Sequence, residues 1–347
     1  MDFELEIRRI YLEDAFEKEK LLQLLQQEGL ELDATIEYTM GIYKDNSLVA
    51  TGSFYKNTLR CLAVDSEYQG LGLMNKVVSH LQAELSQRGE HHLFLYTKST
   101  LGNLFKDLGF YEIACVENVV IFMENKPDGV ARYKSEMAKK KVSADQVAAI
   151  VMNANPFTLG HQYLVEKTAQ ENEVVHLFVV SEEASIIPFE TRYELIAKGV
   201  AHLPNVILHS AGAYMVSKST FPSYFLNGEE AVVIAHAKLD LEIFLRHVVP
   251  TLGITRRYVG EEPYCKVTRT YIETMNLMLQ ANGVGCEIIP RLEVGSEAIS
   301  ASMVRAFIRD NRLEDIKTIV PKTTYDFFKS ERGQALIEKM KHHIGRH

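Results

Sequence analysis

The stretch Asn155-Pro156-Phe157-Thr158-Leu159-Gly160-His161 follows the apolar run Val147 to Met152 and leads into Leu164, Val165, Thr168 and Ala169, which share one face at helical spacing. A buried strand, a glycine-containing turn and an amphipathic helix in that order predict a strand-to-helix turn of an α/β sheet. The start of such a helix favours anions, because its first N–H groups lack intrahelical partners and carry the positive end of the dipole. Gly160 lets a phosphate approach the backbone, and His161 adds a side-chain donor in the first helical turn.

A second stretch supplies the complement: Ile299-Ser300-Ala301-Ser302-Met303-Val304-Arg305. Ser300 is placed to cap a helix, Ser302 offers a first-turn hydroxyl, and Arg305 falls near both on the next turn, where its planar fork pairs with phosphate oxygens. The pair of stretches therefore points to a polyphosphate site. Taken singly, each also fits an ordinary role: a tight turn at Thr158 to His161 and a plain helix cap at Ser300.

Outward from these motifs, the pattern after residue 146 alternates. Strands are predicted at 147–153, 173–181, 205–210, 255–260 and 286–292, with helices near 161–171, 190–202, 232–248 and 269–281. That order predicts a doubly wound parallel sheet with right-handed crossovers, binding its ligand beyond the strand carboxyl ends at the topological switch point. The turn at 153–161 belongs there. Gly260-Glu261-Glu262-Pro263-Tyr264 ends another strand and is a candidate for the same crevice, near magnesium or on a substrate loop; an acidic turn is the plain alternative.

The first part of the chain reads differently. Phe3 to Ile10 alternates as a strand and Leu12 to Gln27 as a helix; Ile36 to Lys44, Leu48 to Tyr55 and Leu59 to Val64 read as consecutive strands. Then come Gln69-Gly70-Leu71-Gly72-Leu73-Met74, a helix to about Arg88, a strand at 92–97, a short helix at 101–108 and a last strand pair. Glu124 to Gly129 ends the last strand, and a charged helical stretch follows. The expected division is residues 1–130, a connection at 131–146, and 147–347.

Composition bounds the function. The 347 residues are 46% hydrophobic, enough for two cores, and 38 basic against 46 acidic side chains give a formal charge of −8. That charge disfavours a general nucleic-acid role, since phosphate backbones demand a basic surface. Cys61, Cys115, Cys265 and Cys286 form no C-x-x-C pair, so they are expected to be reduced and mostly buried. The opening residues lack a signal-peptide pattern and no apolar run reaches spanning length, so no membrane role and a cytoplasmic location are expected.

Thr158 to His161 and Ile299 to Arg305 resemble the motifs (H/T)-x-G-H and I-S-x-(S/T)-x-x-R of the nucleotidylyltransferase superfamily, and Pro188 to Ile196 resembles a P-F-x-x-R stretch of some adenylyltransferases in that group. The first part resembles the GNAT acetyltransferase fold. Gln69 and Gly72 match its pyrophosphate loop, with Met74 where that family has a small residue. The implied fold class is α/β, an N-terminal GNAT-like α+β domain before a Rossmann-like nucleotidylyltransferase domain.

The whole chain resembles the citrate lyase ligase family, on Asn153 to His161, Phe221 to Leu226, Val259 to Tyr264 and Ile299 to Arg305. The resemblance implies use of ATP, Mg2+ and acetate to acetylate the thiol on the dephospho-CoA-type prosthetic group of the citrate lyase acyl carrier subunit, releasing AMP and pyrophosphate. It implies catalytic roles for His161, Thr158 and Arg305, and ATP contacts from Asn155, Phe157, Gly160, Arg192, Gly260, Glu261, Ser300 and Ser302. Gln69, Gly70 and Gly72 would hold the arm of the prosthetic group; the metal ligands are left open. The enzymatic alternative is a nucleotidyltransferase acting on a phosphorylated coenzyme precursor, and a nucleotide-sensing binding protein is a second class. A plain N-acetyltransferase ranks last because of Met74.

Overall fold

The computed structural model describes residues 5–181, 185–215, 221–226, 228–262, 265–295 and 297–341. Pro263 and Tyr264 of the acidic turn lie outside the described residues. The chain divides into two compact units, residues 1–132 with 221–242 and residues 133–220 with 243–347. The stretch 221–242 therefore belongs with the first unit, although it follows three strands of the second in sequence.

The first unit is a seven-stranded sheet with helices. Its elements are β1 (Glu6–Ile10), α1 (Ala15–Gln27), β2 (Tyr38–Lys44), β3 (Ser47–Tyr55), β4 (Thr58–Val64), α2 (Leu73–Gln87), β5 (Phe94–Thr97), α3 (Gly102–Asp107), β6 (Tyr111–Val116) and β7 (Val120–Glu124). The strand order is β1-β2-β3-β4-β5-β7-β6. Only β4 and β5 run parallel, and they pair at just two positions, Thr58 with Phe94 and Leu59 with Leu95. Asp14 starts α1 by accepting the Phe16 and Glu17 amides, so the helix begins three residues later than its apolar pattern suggests. Val77, Leu81 and Leu85 of α2 pack on Met40, Phe54, Leu59 and Leu95 to make the core.

After α4 (Gly129–Ala138), the second unit is built on five parallel strands. In chain order come β8 (Val147–Met152), α5 (Leu159–Glu171), β9 (Val174–Val179), α6 (Phe189–Gly199), β10 (Val206–Ser210), then α7 (Glu229–Ile243), which apart from Ile243 is grouped with the first unit, and α8 (Val249–Leu252), β11 (Arg256–Gly260), α9 (Lys266–Ala281) and β12 (Gly285–Ile289). A hairpin, β13 (Glu293–Val294) and β14 (Glu297–Ala298), precedes α10 (Ala301–Arg309), α11 (Lys322–Lys329) and α12 (Glu331–Lys341). All five predicted strands are present with their helices, except that the helix expected near 232–248 forms as α7 and is grouped mostly with the first unit. The sheet order β10-β9-β8-β11-β12 reverses direction at β8, which puts the turn after β8 at the switch point. Ala148, Ile150, Val175, Leu177 and Tyr258 bury one face under Val165, Leu195 and Ile196, as fully covered parallel strands require.

Candidate functional site

Everything at the switch point is set by the turn between β8 and α5. Ala154 is held at φ +49°, a left-handed value that a non-glycine residue adopts only when its surroundings impose it. Asn155 is buried, and its side-chain oxygen accepts the Ile187 amide at 3.3 Å. Thr158 is the N-cap of α5 and closes a reciprocal box with His161: the Thr158 hydroxyl accepts the His161 amide at 3.3 Å, and His161 Nδ1 accepts the Thr158 amide at 3.1 Å. The Thr158 hydroxyl also lies 2.8 Å from Nδ1.

These bonds decide the form of the imidazole. Nδ1 is an acceptor, so the ring proton sits on Nε2, the nitrogen not engaged by the turn. Burial pushes the His161 pKa down to about 4, with a further push from the Arg291 charge. At neutral pH His161 is a neutral donor, stacked over the Phe157 ring at 5.9 Å.

The second motif meets the first here. Ser300 caps α10 by accepting the Met303 amide at 3.1 Å. Arg305 donates to the Asn155 carbonyl at 2.5 Å and to the Ser302 hydroxyl at 3.2 Å. Gly160 lies against the other end of the motif, where an added Cβ would stand 3.3 Å from the Ile299 carbonyl. Its lack of a side chain thus serves the approach of the two motifs as well as that of a ligand. Thr158, Gly160, His161, Asn155, Ser300, Ser302 and Arg305 form one continuous cluster.

Two expected contact residues stand elsewhere. Phe157 has no exposed surface and packs on Gly199, so it supports His161 from below instead of facing a nucleotide. Arg192 is also fully buried and donates to the carbonyls of Ile187, Asn153 and Val180 at 2.8 to 3.0 Å. Its guanidinium ties the ends of β8 and β9 to the start of α6, a positioning role in place of a phosphate contact. The reason is satisfaction: a buried cation needs its donors paired, and strand-end carbonyls need donors.

Gly260 ends β11 in open space, and Glu261 is exposed with its amide on the Ile289 carbonyl. The residue missed by sequence reading is Arg291. It donates to the Glu261 carbonyl at 2.7 Å, forms an ion pair with Glu262 and acts electrostatically on His161. A basic residue just past the carboxyl end of a parallel strand was the available signal.

The description "Citrate lyase ligase C-terminal domain" matches residues 147–328, and "Acetyltransferase (GNAT) family" matches residues 4–110. The chain is 37% identical to the citrate (pro-3S)-lyase ligase of Klebsiella pneumoniae over 91% of this chain and 94% of that protein. It is 34% identical to the protein of that name from Escherichia coli K12, over 90% of each chain. The chain belongs to the citrate lyase ligase family. A third relative, from Haemophilus influenzae, is 36% identical over 89% of this chain and 96% of its own.

In this citrate lyase ligase family member the first unit is a GNAT domain, and its glycine loop has the geometry its sequence suggests. Gly70 and Gly72 stand at φ +79° and +75°, Gly72 caps α2, and neither has a neighbour that a Cβ would meet. Gln69 donates to Glu28 and to the Val64 carbonyl, both at 3.2 Å. Met74 packs its side chain on the domain core, which accounts for its bulk at that position. All four cysteines are free, but only Cys61 is buried and Cys265 is exposed, so the expectation of mostly buried thiols is corrected. Among the described residues no helix is long and apolar enough to cross a membrane.

Proposed function

We propose that this chain activates acetate with ATP and transfers the acetyl group to the prosthetic-group thiol of the citrate lyase acyl carrier subunit. The observation that carries the adenylation step is the convergence of Thr158, His161, Ser302 and Arg305 at the amino ends of α5 and α10. An acetate oxygen attacks the α-phosphorus of ATP, the bond to the β-phosphate oxygen breaks, and pyrophosphate leaves. Arg305, the Nε2–H of His161 and the α5 amino end are donors for the charge that gathers on the α-phosphoryl and leaving oxygens. The carrier thiol then attacks the acetyl carbonyl of acetyl-adenylate, and AMP departs with the C–O bond electrons. No protein nucleophile is required, so catalysis is mainly positional and electrostatic.

Magnesium is assigned to the ATP polyphosphate. Among the described residues no three His, Cys, Asp or Glu side chains stand together to hold a metal ion. We assign adenylation to the second unit and the holding of the carrier's arm to the first, through Gln69, Gly70 and Gly72.

The deciding experiment measures AMP and pyrophosphate release from ATP and magnesium with and without acetate, in the presence of deacetylated citrate lyase. Acetate-dependent AMP release with recovery of lyase activity supports the reading. Pyrophosphate release that needs no acetate but requires a phosphopantetheine-like acceptor would replace it with coenzyme nucleotidyl transfer.

A further inference from the structure

The rotation of α10 about its own axis is fixed by the core beneath it. Val304 and Ile308, one turn apart, are buried with Ile299, Ile316 and Ile319, and Leu159 at the start of α5 packs against the same cluster. The Leu159 amide donates to the Ile319 carbonyl at 3.0 Å, which keys this part of the chain to the amino end of α5. At 3.6 residues per turn, burying Val304 and Ile308 lines up Ser302, Arg305 and Arg309 on a neighbouring face. Arg305 donates to the Ser302 hydroxyl, and Arg309 continues the row. Helical side chains lean toward the amino end, so Arg309 reaches back over the turn that carries Arg305, and its charge acts on that guanidinium.

Two like charges four residues apart on a helix repel each other. Other arginines of this unit are neutralised: Arg291 pairs with Glu262, Arg312 with Asp315 at 2.6 Å and Arg332 with Glu194 at 2.8 Å. Arg309 is exposed and has no acidic partner among the described residues. A cation in the last turn suits the helix dipole, but that role asks only for charge and does not account for the alignment with Arg305.

We propose that Arg309 binds the β- and γ-phosphates of ATP and holds the pyrophosphate as it leaves, while Arg305 serves the α-phosphate. The assignment rests on the adenylation reading of the second unit. Four residues rise about 6 Å along a helix, comparable to the span of a triphosphate from its first phosphorus to its last. Arg305 is already engaged with the Asn155 carbonyl and the Ser302 hydroxyl, so the charge of the two outer phosphates falls to a second guanidinium, whose planar fork pairs with two oxygens at once. Arg309 thus selects a triphosphate over a monophosphate.

Equilibrium binding of ATP, AMP and pyrophosphate, each with magnesium and without acetate or carrier, tests this on full-length wild type and Arg309→Gln, an exposed substitution whose folding is checked by circular dichroism. Arg309→Gln should weaken ATP and pyrophosphate on the order of tenfold and leave AMP within about twofold, as expected for losing a charged hydrogen-bond donor to the outer phosphates alone. Unchanged affinity for ATP and pyrophosphate would overturn the role of Arg309 and leave the adenylation site standing. An equal loss for all three ligands would overturn it too, because a residue that only supports the helix acts on AMP as well. Failure of wild type to bind ATP at all would remove the adenylation reading and this role with it.

Discussion

Arg305 donates to the main-chain carbonyl of Asn155 at 2.5 Å, across 150 positions of sequence. That bond fastens the second motif to the turn of the first and leaves the guanidinium half-buried, where desolvation and the nearby Arg309 both weaken its hold on the proton. An incoming phosphate would relieve that unfavourable placement, so the site is preorganised for an anion.

Arg305→Ala should lower the rate of acetate-dependent pyrophosphate release by about 100-fold or more, in keeping with the loss of one preorganised charge donor. Arg305→Lys should recover little, because a point charge cannot bond the Asn155 carbonyl, the Ser302 hydroxyl and a phosphate together. Single-turnover kinetics on folded variants checks both. Near-normal rates in both would remove Arg305 from the clamp.

His161 should act in its neutral form throughout the physiological range. With a pKa near 4, its protonation limits the rate only below about pH 5, so kcat/KM for pyrophosphate release should show no break near the ordinary histidine value. Arg291→Ala removes a positive neighbour and should move the acidic limb upward. A wild-type limb centred near the unperturbed histidine pKa would contradict the assigned protonation state.

Arg192→Ala should act on stability. It leaves the buried carbonyls of Ile187, Asn153 and Val180 without this donor, at a cost of about 1–3 kcal/mol for each one left unsatisfied, and Arg192→Lys should not restore them. Urea unfolding gives the loss. If a folded Arg192→Ala protein keeps wild-type stability and loses only ATP affinity, the expectation of a phosphate contact was the better one.

A buried pair makes the second unit acid-sensitive. His176 on β9 and His209 on β10 share a hydrogen bond of 2.9 Å, and burial pushes their pKa values to about 4 and about 3. The unfolded chain binds these protons below its ordinary histidine pKa while the folded chain resists them. The pair therefore stabilises fully above about pH 6.5, and that contribution is lost as pH falls toward 4, on the order of 3 kcal/mol. Unfolding free energies of wild type and His176→Leu/His209→Leu, compared between pH 7 and 4.5, should show a shallower acid slope in the variant. Parallel slopes would exclude the pair as the cause.

Much of the architecture was legible because the signals are local. Val147 to Met152, and 174–179 apart from His176, read as strands because parallel strands covered on both faces are nearly continuously apolar. Ser300 read as a cap because the cap bond closes within three residues. The burial of Phe157 and Arg192 was not legible, for the opposite reason. Whether a side chain near a turn faces a ligand or the core depends on what packs against it, here Gly199 for one and three strand-end carbonyls for the other.

By itself the sequence determined the order of elements, the two glycine turns and the two candidate phosphate motifs, Thr158–His161 and Ser300–Arg305, since each depends on neighbours a few positions apart. Tertiary structure alone decided three things. It set the approach of Gly160 to the Ile299 carbonyl, the proximity of Arg291 to His161, and the bond from the Tyr224 phenol to the Tyr96 carbonyl. Each joins residues far apart along the chain, and such contacts follow from how whole elements satisfy their buried surface and backbone polar groups, which no local pattern encodes.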